Sequence, residues 1–281
     1  MYLLLTDNDW ANVGYNISRS IMSAGGEAMC VRMFEHPYGY PADCTILPVV
    51  DGFPTIDPPS VTVAHEFGMG CNHLLWLGER QETLDMMLHG LGLIDKPWIK
   101  HRVHLGSYYR LQSDEQNNID MKSGIVTRFA GQDSVRLFDD KVQSYGFYSV
   151  PDIPITKSMV EWSEKVNISH SPTSRPKKGT LEIHAGVAGA IFSDPGRYEF
   201  NVIESQSWSD CLADRSQSHI FIDQLNADVG GIGVSGYEAL RQGCIVLANV
   251  SHMDSVPSGV LPITCERDLK EELVLLASDR E

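Results

Sequence analysis

Short apolar runs and amphipathic stretches alternate along the chain. The run at 2–6 stays apolar until it ends at polar residues, as expected of a buried parallel strand. The segment after it places Val13, Ile17 and Ile21 on one helical face, and Gly25 begins the glycine pair that ends it. A strand followed by a helix is the repeating unit of proteins with a parallel sheet. The start of the chain therefore predicts an α/β fold.

The same alternation continues through both halves of the chain. The first half contains further strand-like runs at 27–34, 44–47, 60–66, 98–105, 124–130 and 144–150, with helical stretches at 71–90 and 132–139. The second half contains strand-like runs at 165–171, 198–204, 218–225, 244–250 and 259–263, interleaved with helical stretches at 177–191, 207–216, 234–242 and 266–278. Each half therefore predicts a parallel sheet covered by helices.

Two prolines, Pro151 and Pro154, mark the point where the chain is expected to leave one sheet for the other. We predict two Rossmann-like domains that face each other across a cleft, residues 1–150 and 151–281. In sheets of this kind, ligands bind beyond the carboxyl ends of the strands. The loops at those ends are therefore the candidates for function.

Composition narrows the class of protein. The 281 residues are 42% hydrophobic and 21% charged, as in an ordinary globular protein. The formal net charge of -15 disfavours general attraction to nucleic acid or to anionic membranes. The chain has no apolar run of about 18 residues, and Asp7 comes too early for a signal peptide, so we expect a cytoplasmic protein without a membrane span.

The sequence contains no strong metal-binding motif. His65, Glu66 and His73 lie close together, but they do not have the His-Glu-x-x-His spacing. The six cysteines lie far apart, without a Cys-x-x-Cys pair, and are expected to be reduced. We therefore predict no essential metal.

A glycine-rich loop precedes the helical stretch at 234–242. Gly230, Gly231 and Gly233 follow the strand-like run that ends in polar residues, and the helix begins near Val234 and Ser235. Glycines let the backbone approach a phosphate closely, the helix start offers free N–H groups, and a serine hydroxyl can donate a further hydrogen bond. The loop therefore predicts a phosphate site.

Glu238 lies one turn into this helix. Its carboxylate can accept hydrogen bonds from two ribose hydroxyls while the phosphates lie at the helix start. Alternatively, Glu238 complements the positive helix N-terminus on a solvated face. The spacing alone leaves both interpretations open.

A second loop combines hydroxyl groups with cations. Ser171, Thr173, Arg175, Lys177 and Lys178 follow the strand-like run at 165–171 and precede a helical stretch. This composition suits a diphosphate. The alternative is a solvated basic loop, which is the commoner outcome for a short run of charges. Because both loops follow strands of the same half, one anionic ligand could contact both.

These residues carry a family resemblance. The segments HSPTSRPKKGT, FNVIE, HIFIDQL and GGIGVSGYEALRQGCIVLANV, within residues 165–250, resemble the donor-binding half of retaining, nucleotide-sugar-dependent glycosyltransferases of the GT-B fold. They are especially similar to a bacterial and viral subgroup whose loop reads His-Ser-Pro-Thr, four residues, Lys-Gly-Thr. The rest of the chain resembles the family more loosely.

The resemblance implies roles for individual residues of the second half. Lys178 and Arg175 would hold the donor diphosphate, and Glu238 would match the second, ribose-binding glutamate of the Glu-x7-Glu motif. Gly231 and Gly233 would belong to its Gly-Phe-Gly turn, which here has isoleucine in the middle. Gly230 stands where the family has the first glutamate, which is associated with the transferred sugar.

The resemblance extends to two segments of the first half. The loop after the first strand would bring Asn12 and Gly14 to the donor phosphates or the acceptor. The segment VHLGSYYR looks like the His-x-Gly-Ser-x-x-Arg segment of the family, so His104, Ser107 and Arg110 would face the cleft. His104 is the candidate for contact with the reacting sugar, although a histidine at a strand end is more often structural.

Together these features predict a glycosyltransferase. A UDP- or GDP-linked sugar would be the co-substrate, with no other cofactor, and Lys178, Arg175 and the N–H groups at 233–235 would stabilise the departing diphosphate. The acceptor would be a glycan or protein hydroxyl, or a modified base of viral DNA. The alternative is a catalytically weak or inactive nucleotide-binding or scaffold protein of the same fold. An NAD-dependent oxidoreductase is disfavoured, because Gly14 is the only glycine in residues 7–16.

Overall fold

The structure is a computed structural model, and it describes residues 1–78, 81–97, 102–106, 126–131, 143–145, 153, 165–226, 231–251, 253 and 255–278. The chain divides into two compact units, Met1–Pro151 and Asp152–Glu281. Each unit contains a large parallel sheet, so the predicted α/β class is confirmed. Within the described ranges, no helix is both long enough and apolar enough to span a membrane.

The first unit is built on a seven-stranded sheet. The strands of this unit are β1 (Tyr2–Thr6), β2 (Ala28–Phe34), β3 (Cys44–Leu47), β4 (Val49–Val50), β5 (Phe53–Pro54), β6 (His73–Leu77), β7 (Arg102–Gly106), β8 (Val126–Gly131) and β9 (Gln143–Tyr145). The sheet order is β3-β2-β1-β6-β7-β8-β9 with parallel neighbours, while β4 and β5 form a separate antiparallel hairpin. The helical elements are a 3₁₀ turn (Trp10–Asn12), α1 (Val13–Ser23), α2 (Pro58–Gly70) and α3 (Gln81–Gly90).

The second unit is built on a five-stranded parallel sheet. Its strands are β10 (Val166–His170), β11 (Tyr198–Val202), β12 (Ile220–Gln224), β13 (Ile245–Ala248) and β14 (Val260–Pro262), in the order β11-β10-β12-β13-β14. Its helices are α4 (Arg175–Lys178), α5 (Thr180–Ser193), α6 (Trp208–Arg215), α7 (Val234–Arg241) and α8 (Glu266–Ser278).

The apolar runs of the central strands form the two cores. Leu3 and Leu5 of β1 pack with Trp76 of β6 in the first unit, and Ile168 packs with Ile222 in the second. All five side chains are at most 2% exposed. Burying a side chain of this size stabilises the fold by about 1.5–3 kcal/mol. The strands predicted from continuous apolar runs are therefore the centres of both sheets.

Both sheets reverse their strand order beside their first strand. β1 lies between β2 and β6, and β10 lies between β11 and β12. At such a point, one strand connects to its neighbour toward one edge of the sheet, and the adjacent strand connects toward the other edge. The two diverging connections open a crevice at the carboxyl ends of these strands. In the second unit, this point lies between the loop that joins β10 to α4 and the loop that joins β12 to α7. These are the two loops in which the sequence predicts a diphosphate site.

The strand predicted at 60–66 is wrong, because these residues belong to α2. Pro58 is the first residue of the helix, and the Asp57 carboxylate accepts a hydrogen bond from the Ser60 N–H at 3.2 Å. Both features start a helix before the alternating valines begin. Val63 is 47% exposed, so the alternation does not mark a buried face.

The helix predicted at 71–90 is correct only in its second part, α3. Residues 73–77 form β6, which lies between β1 and β7. The run at 74–77 is apolar throughout, as strands covered on both faces are, and at this length periodicity does not separate a strand from a helix. The helix predicted at 132–139 lies outside the described residues.

Gly179 divides the helix predicted at 177–191 into α4 and α5. Its φ of 68° is left-handed, a conformation that glycine adopts without strain. A Cβ at this position would lie 3.1 Å from the backbone nitrogen of Asn226. The glycine therefore lets α4 approach the chain that follows β12, and this places Lys178 beside the carboxyl end of that strand.

Candidate functional site

Three of the donors predicted to bind phosphate converge on one carboxylate, that of Asp223. Asp223 lies in β12 with a fully buried side chain, and its Oδ1 is 2.7 Å from the Nζ of Lys178. Its Oδ2 accepts a hydrogen bond from the Gly233 N–H at 2.5 Å, and its Oδ1 accepts one from the Ser235 hydroxyl at 3.2 Å. The start of α7 therefore binds an anionic group that belongs to the protein.

The electrostatics of this cluster keep Asp223 ionised. Burial by itself raises the pKa of Asp223, but the Lys178 ammonium and the hydrogen bonds from Lys178, Gly233 and Ser235 together outweigh burial and hold the pKa below its ordinary value. Lys178 retains a contact with solvent, since its side chain is 14% exposed. The cluster is thus a buried carboxylate facing a cation that remains accessible.

Close packing explains two glycines at the start of α7. A Cβ on Gly233 would lie 2.7 Å from the Nζ of Lys178, and a Cβ on Gly236 would lie 3.2 Å from the Oδ2 of Asp223. A side chain at either position would push against the Lys178–Asp223 pair. The close approach that the sequence suggested for a phosphate is made here by an internal carboxylate.

The loop after β10 contributes a second ion pair. Arg175 donates from Nε to Glu204 Oε1 at 2.9 Å and from Nη2 to Oε2 at 2.5 Å. The hydrogen bond from Arg175 lowers the pKa of Glu204. This pair is much more open to solvent than the first, since the Arg175 side chain is 59% exposed. Of the two predicted hydroxyl donors in this loop, Ser171 is half-buried and Thr173 is exposed.

The carboxylate of Glu238 contacts α6. Its Oε1 accepts a hydrogen bond from the Trp208 indole at 2.9 Å, and its Oε2 is 2.9 Å from the Nη1 of Arg215. Arg215 also donates to the carbonyl of Ser235 at 2.6 Å. Glu238 is only 3% exposed, so its interpretation as a residue on a solvated face is wrong. Its assignment to a ribose stays a prediction.

The first unit repeats the arrangement of a carboxylate at a helix start. Asp9, in the loop after β1, accepts hydrogen bonds from the N–H groups of Gly14 at 2.6 Å and Tyr15 at 2.9 Å. Burial raises the pKa of Asp9 to about 6, against the lowering effect of these two bonds. The loop carries left-handed φ angles at Asp9, Ala11 and Asn12, a conformation that is uncommon outside glycine. Such strain is often found at functional sites.

Asn12 and Gly14 therefore lie together at the start of α1. Asn12 is buried, and its Oδ1 has no hydrogen-bond partner among the described residues. A Cβ on Gly14 would lie 3.1 Å from Asp9 Oδ1 and 3.2 Å from the Sγ of Cys30. The glycine at this position allows the contact between the helix and Asp9.

The remaining predicted residues of the first unit are described only in part. His104 lies in β7, in register with Trp76 of β6 and Arg128 of β8. Ser107 and Arg110 lie outside the described residues, as does Gly230 of the second unit. In the part of the chain that the structure describes, no group of three or more histidine, cysteine, aspartate or glutamate side chains could hold a metal ion.

Sequence reasoning missed the partners of the predicted residues. Four residues were not assigned to the site: Asp9, Glu204, Asp223 and Arg215. Each of them forms a hydrogen bond with a predicted site residue. Asp223 left the clearest signal, because it is a carboxylate at the end of an otherwise apolar strand. A charge in that place is almost always paired when it is buried.

Comparisons with known proteins identify the fold. No protein-family model matches the chain, and the comparison with curated proteins finds no significant match. Among solved structures, the chain is similar to WaaG, a glycosyltransferase involved in lipopolysaccharide biosynthesis, with a TM-score of 0.52 and 10% identity over 99% of this chain and 91% of that one. At this identity the likeness concerns the fold alone.

Two further structures are more distant. A UDP-N-acetylglucosamine 2-epimerase, described as putative, from Listeria monocytogenes has a TM-score of 0.48 and 11% identity over 100% of this chain and 88% of that one. MurG from Acinetobacter baumannii has a TM-score of 0.39 and 9% identity over 98% and 90%. The predicted fold class, two Rossmann-like α/β units of the GT-B type, is confirmed by the similarity to WaaG and by the two parallel sheets.

Proposed function

We propose that the second unit binds the diphosphate of a UDP- or GDP-linked sugar, and that the protein transfers the sugar to a hydroxyl of an acceptor. The observation that supports this most directly is the convergence of Lys178, Gly233 and Ser235 on one anionic carboxylate. An ammonium, a helix N-terminus and a hydroxyl are also the groups that bind the oxygens of a diphosphate.

The start of α7 has donors left for a ligand. An ammonium has three N–H groups, and Asp223 accepts a hydrogen bond from Lys178. The N–H groups of Val234 and Ser235 have no partner among the hydrogen bonds of the described residues. We propose that the diphosphate binds on the solvent side of Lys178 and accepts hydrogen bonds from these two N–H groups, while Asp223 holds the ammonium in place.

The proposed chemistry follows from the charge of the leaving group. When the bond between sugar and diphosphate breaks, negative charge grows on the diphosphate oxygens. Lys178, held by Asp223, and the helix N-terminus are fixed in the protein before the reaction, so they stabilise this charge without reorganisation, and Arg175 adds a further positive group. The resemblance of the two loops to retaining enzymes favours a retained configuration at the sugar.

Glu238 would hold the ribose of the donor. A carboxylate offers about four acceptor positions, and one hydrogen bond to each oxygen leaves room for two hydroxyl donors. Trp208 and Arg215 fix the orientation of the carboxylate at distances of 2.9 Å each. We therefore propose that these two residues position Glu238 for the ribose.

By the family resemblance, Asn12, Ser107 and Arg110 of the first unit would take part in acceptor binding, Gly14 in donor binding and His104 in sugar transfer. The net charge of -15 favours a neutral hydroxyl acceptor, such as a glycan or a protein side chain. A modified base of viral DNA is the second acceptor class that the resemblance suggests.

The rival function is nucleotide binding without catalysis. It is favoured by Gly230, which stands where the family resemblance has the glutamate associated with the transferred sugar. The two functions differ in turnover, since a binding protein would shift its unfolding temperature with UDP or GDP and release no nucleotide from any sugar donor.

The test compares Lys178→Met with Lys165→Met. Lys165 precedes the amino end of β10, at the opposite edge of the same sheet, and is 59% exposed, so its replacement removes the same charge away from the proposed site. At a temperature where circular dichroism shows both variants folded, we expect Lys178→Met to weaken UDP or GDP binding at least tenfold and to abolish nucleotide release from the sugar donor, while Lys165→Met changes neither. Equal effects of the two substitutions would contradict the proposed site.

A further inference from the structure

We propose that Glu204 is an internal competitor of the anionic ligand: its carboxylate holds Arg175 in the free protein and releases it when a diphosphate binds. This inference rests on the proposed function, because it specifies how the same site exchanges its counter-ion. It assigns a role to a carboxylate that the family resemblance does not include.

The geometry of the Arg175–Glu204 pair is that of a phosphate contact. Arg175 donates to both carboxylate oxygens, from Nε to Oε1 at 2.9 Å and from Nη2 to Oε2 at 2.5 Å. Arginine binds phosphate with the same two parallel N–H groups. A phosphate that approaches Arg175 therefore cannot use this fork until Glu204 has left it.

The position of Glu204 supports the exchange. β10 and β11 are parallel neighbours, and the Ile203 N–H donates to the carbonyl of His170 at 2.8 Å, which joins the carboxyl ends of the two strands. Glu204 therefore lies at the same sheet edge as the loop that carries Arg175 and Lys178. A ligand bound by that loop would meet the Glu204 carboxylate directly.

Exposure decides which of the two cations can change partner. The side chains of Arg175 and Glu204 are 59% and 27% exposed, whereas those of Lys178 and Asp223 are 14% and 0% exposed. Water can replace either partner of the first pair, so that pair contributes little free energy. Breaking the second pair leaves a buried carboxylate without a counter-ion, which is far costlier. Arg175 therefore exchanges its partner while Lys178 keeps Asp223.

The consequence is a measurable cost on ligand affinity. In the wild-type protein, part of the free energy of diphosphate binding is used to displace Glu204 from Arg175. Glutamine at position 204 keeps the size of the side chain but has one uncharged oxygen acceptor in place of two charged ones, so Arg175 is released to the ligand more easily. We expect Glu204→Gln to tighten binding about two- to fivefold, the range that an exposed ion pair contributes.

The experiment measures the dissociation constants of UDP and of inorganic pyrophosphate by titration calorimetry at constant ionic strength. The proteins are the wild type, Glu204→Gln, Arg175→Gln and the double variant, with Glu271→Gln as the control. Glu271 forms a similar exposed pair with Arg267, at 2.9 Å in α8. Its replacement removes one negative charge from the same unit and tests for a general charge effect.

The inference predicts tighter binding only when Arg175 is present. Glu204→Gln should tighten the binding of both probes, Glu271→Gln should leave it unchanged, and Glu204→Gln should have no effect in the Arg175→Gln background. Unchanged or weaker binding by Glu204→Gln would overturn the inference, as would equal tightening by Glu271→Gln or tightening without Arg175.

Failure of the proposed function would look different. If Glu204→Gln tightens pyrophosphate binding through Arg175 but no sugar donor is ever turned over, the counter-ion exchange stands and sugar transfer is wrong. If wild-type protein binds UDP and turns over a donor while Glu204→Gln binds identically, only the exchange is wrong. If none of the proteins binds either probe, both are wrong.

Discussion

The Nζ of Lys178 lies 2.7 Å from the Oδ1 of Asp223, so a basic loop after β10 is tied to the end of β12 by an ion pair. The same contact is reinforced by the backbone, because the Leu225 N–H donates to the carbonyl of Lys178 at 3.1 Å. The two loops that the sequence predicts to share a ligand are thus already joined without one. This contact makes the site a structural element of the second unit as well as a candidate binding surface.

Replacement of Asp223 by asparagine should destabilise the fold. The substitution leaves Lys178, which is mostly buried, without its counter-ion, and it replaces one of the two oxygens that accept hydrogen bonds from Lys178, Gly233 and Ser235 by an NH₂ group. We expect a loss of about 3 kcal/mol in the free energy of unfolding of the second unit, as for other broken buried pairs. Urea unfolding measures it, with Glu199→Gln, in an exposed pair with Lys165, as the control. A loss no larger than that of the control would show that Asp223 is not a structural partner.

Replacement of Gly233 by alanine should weaken anion binding. The new Cβ would lie 2.7 Å from the Nζ of Lys178, and this end of a flexible side chain can move away. The ammonium then no longer faces the start of α7, so we expect at least a fivefold loss of UDP or GDP affinity, measured at a temperature where the variant is folded. Gly90→Ala is the control, since a Cβ there has no atom within 4 Å. Equal affinity in the two variants would remove Gly233 from the site.

Replacement of Glu238 by glutamine should affect ligands according to their ribose. If Glu238 binds the ribose hydroxyls, UDP should lose more affinity than its 2′,3′-dideoxy analogue. The dissociation constant of the analogue divided by that of UDP should therefore fall toward one. The buried Arg215 loses its counter-ion in this variant, so the titrations belong at a temperature where circular dichroism shows a folded protein. Equal losses for both nucleotides would leave Glu238 with the structural role alone.

Asp9 should make stability depend on pH. Its pKa is about 6 in the folded protein and 3.8 at its ordinary value, so the folded state holds the proton more tightly than the unfolded state. The stabilisation from this group is therefore complete below about pH 4 and is lost as the pH rises through 6. At about 1.4 kcal/mol per pKa unit, the full effect of the shift is about 3 kcal/mol, and the difference in unfolding free energy between Asp9→Asn and wild type should rise by about 2.4 kcal/mol from pH 4 to pH 7. Urea unfolding across this range checks it, and a constant difference would be contrary to the prediction.

The sheets could be predicted from the sequence because their strands are marked by local pattern. Continuous apolar runs such as the one at 2–6 identify strands that are covered on both faces, and their spacing predicts parallel connections. The helix α2 was missed because its signal, an aspartate followed by two prolines, lies outside the alternating valines that suggested a strand.

The site could be predicted only in part, for a different physical reason. Glycines and cations mark the two loops in the local sequence as candidate anion sites. The structure brings Lys178, Gly233 and Ser235 together. Their partners are set by long-range contacts: Asp223 is 45 residues from Lys178, and Glu204 is 29 residues from Arg175. Nothing in the sequence around a lysine tells which distant carboxylate will face it.

The buried carboxylates of Asp9 and Asp223 accept hydrogen bonds from the starts of α1 and α7, and this bears on how the protein folds. Each one supplies, from within the chain, a negative group that accepts hydrogen bonds from the N–H groups of the helix start. Both helix starts therefore have an anionic partner within the chain, and we expect the protein to reach its native state without a nucleotide.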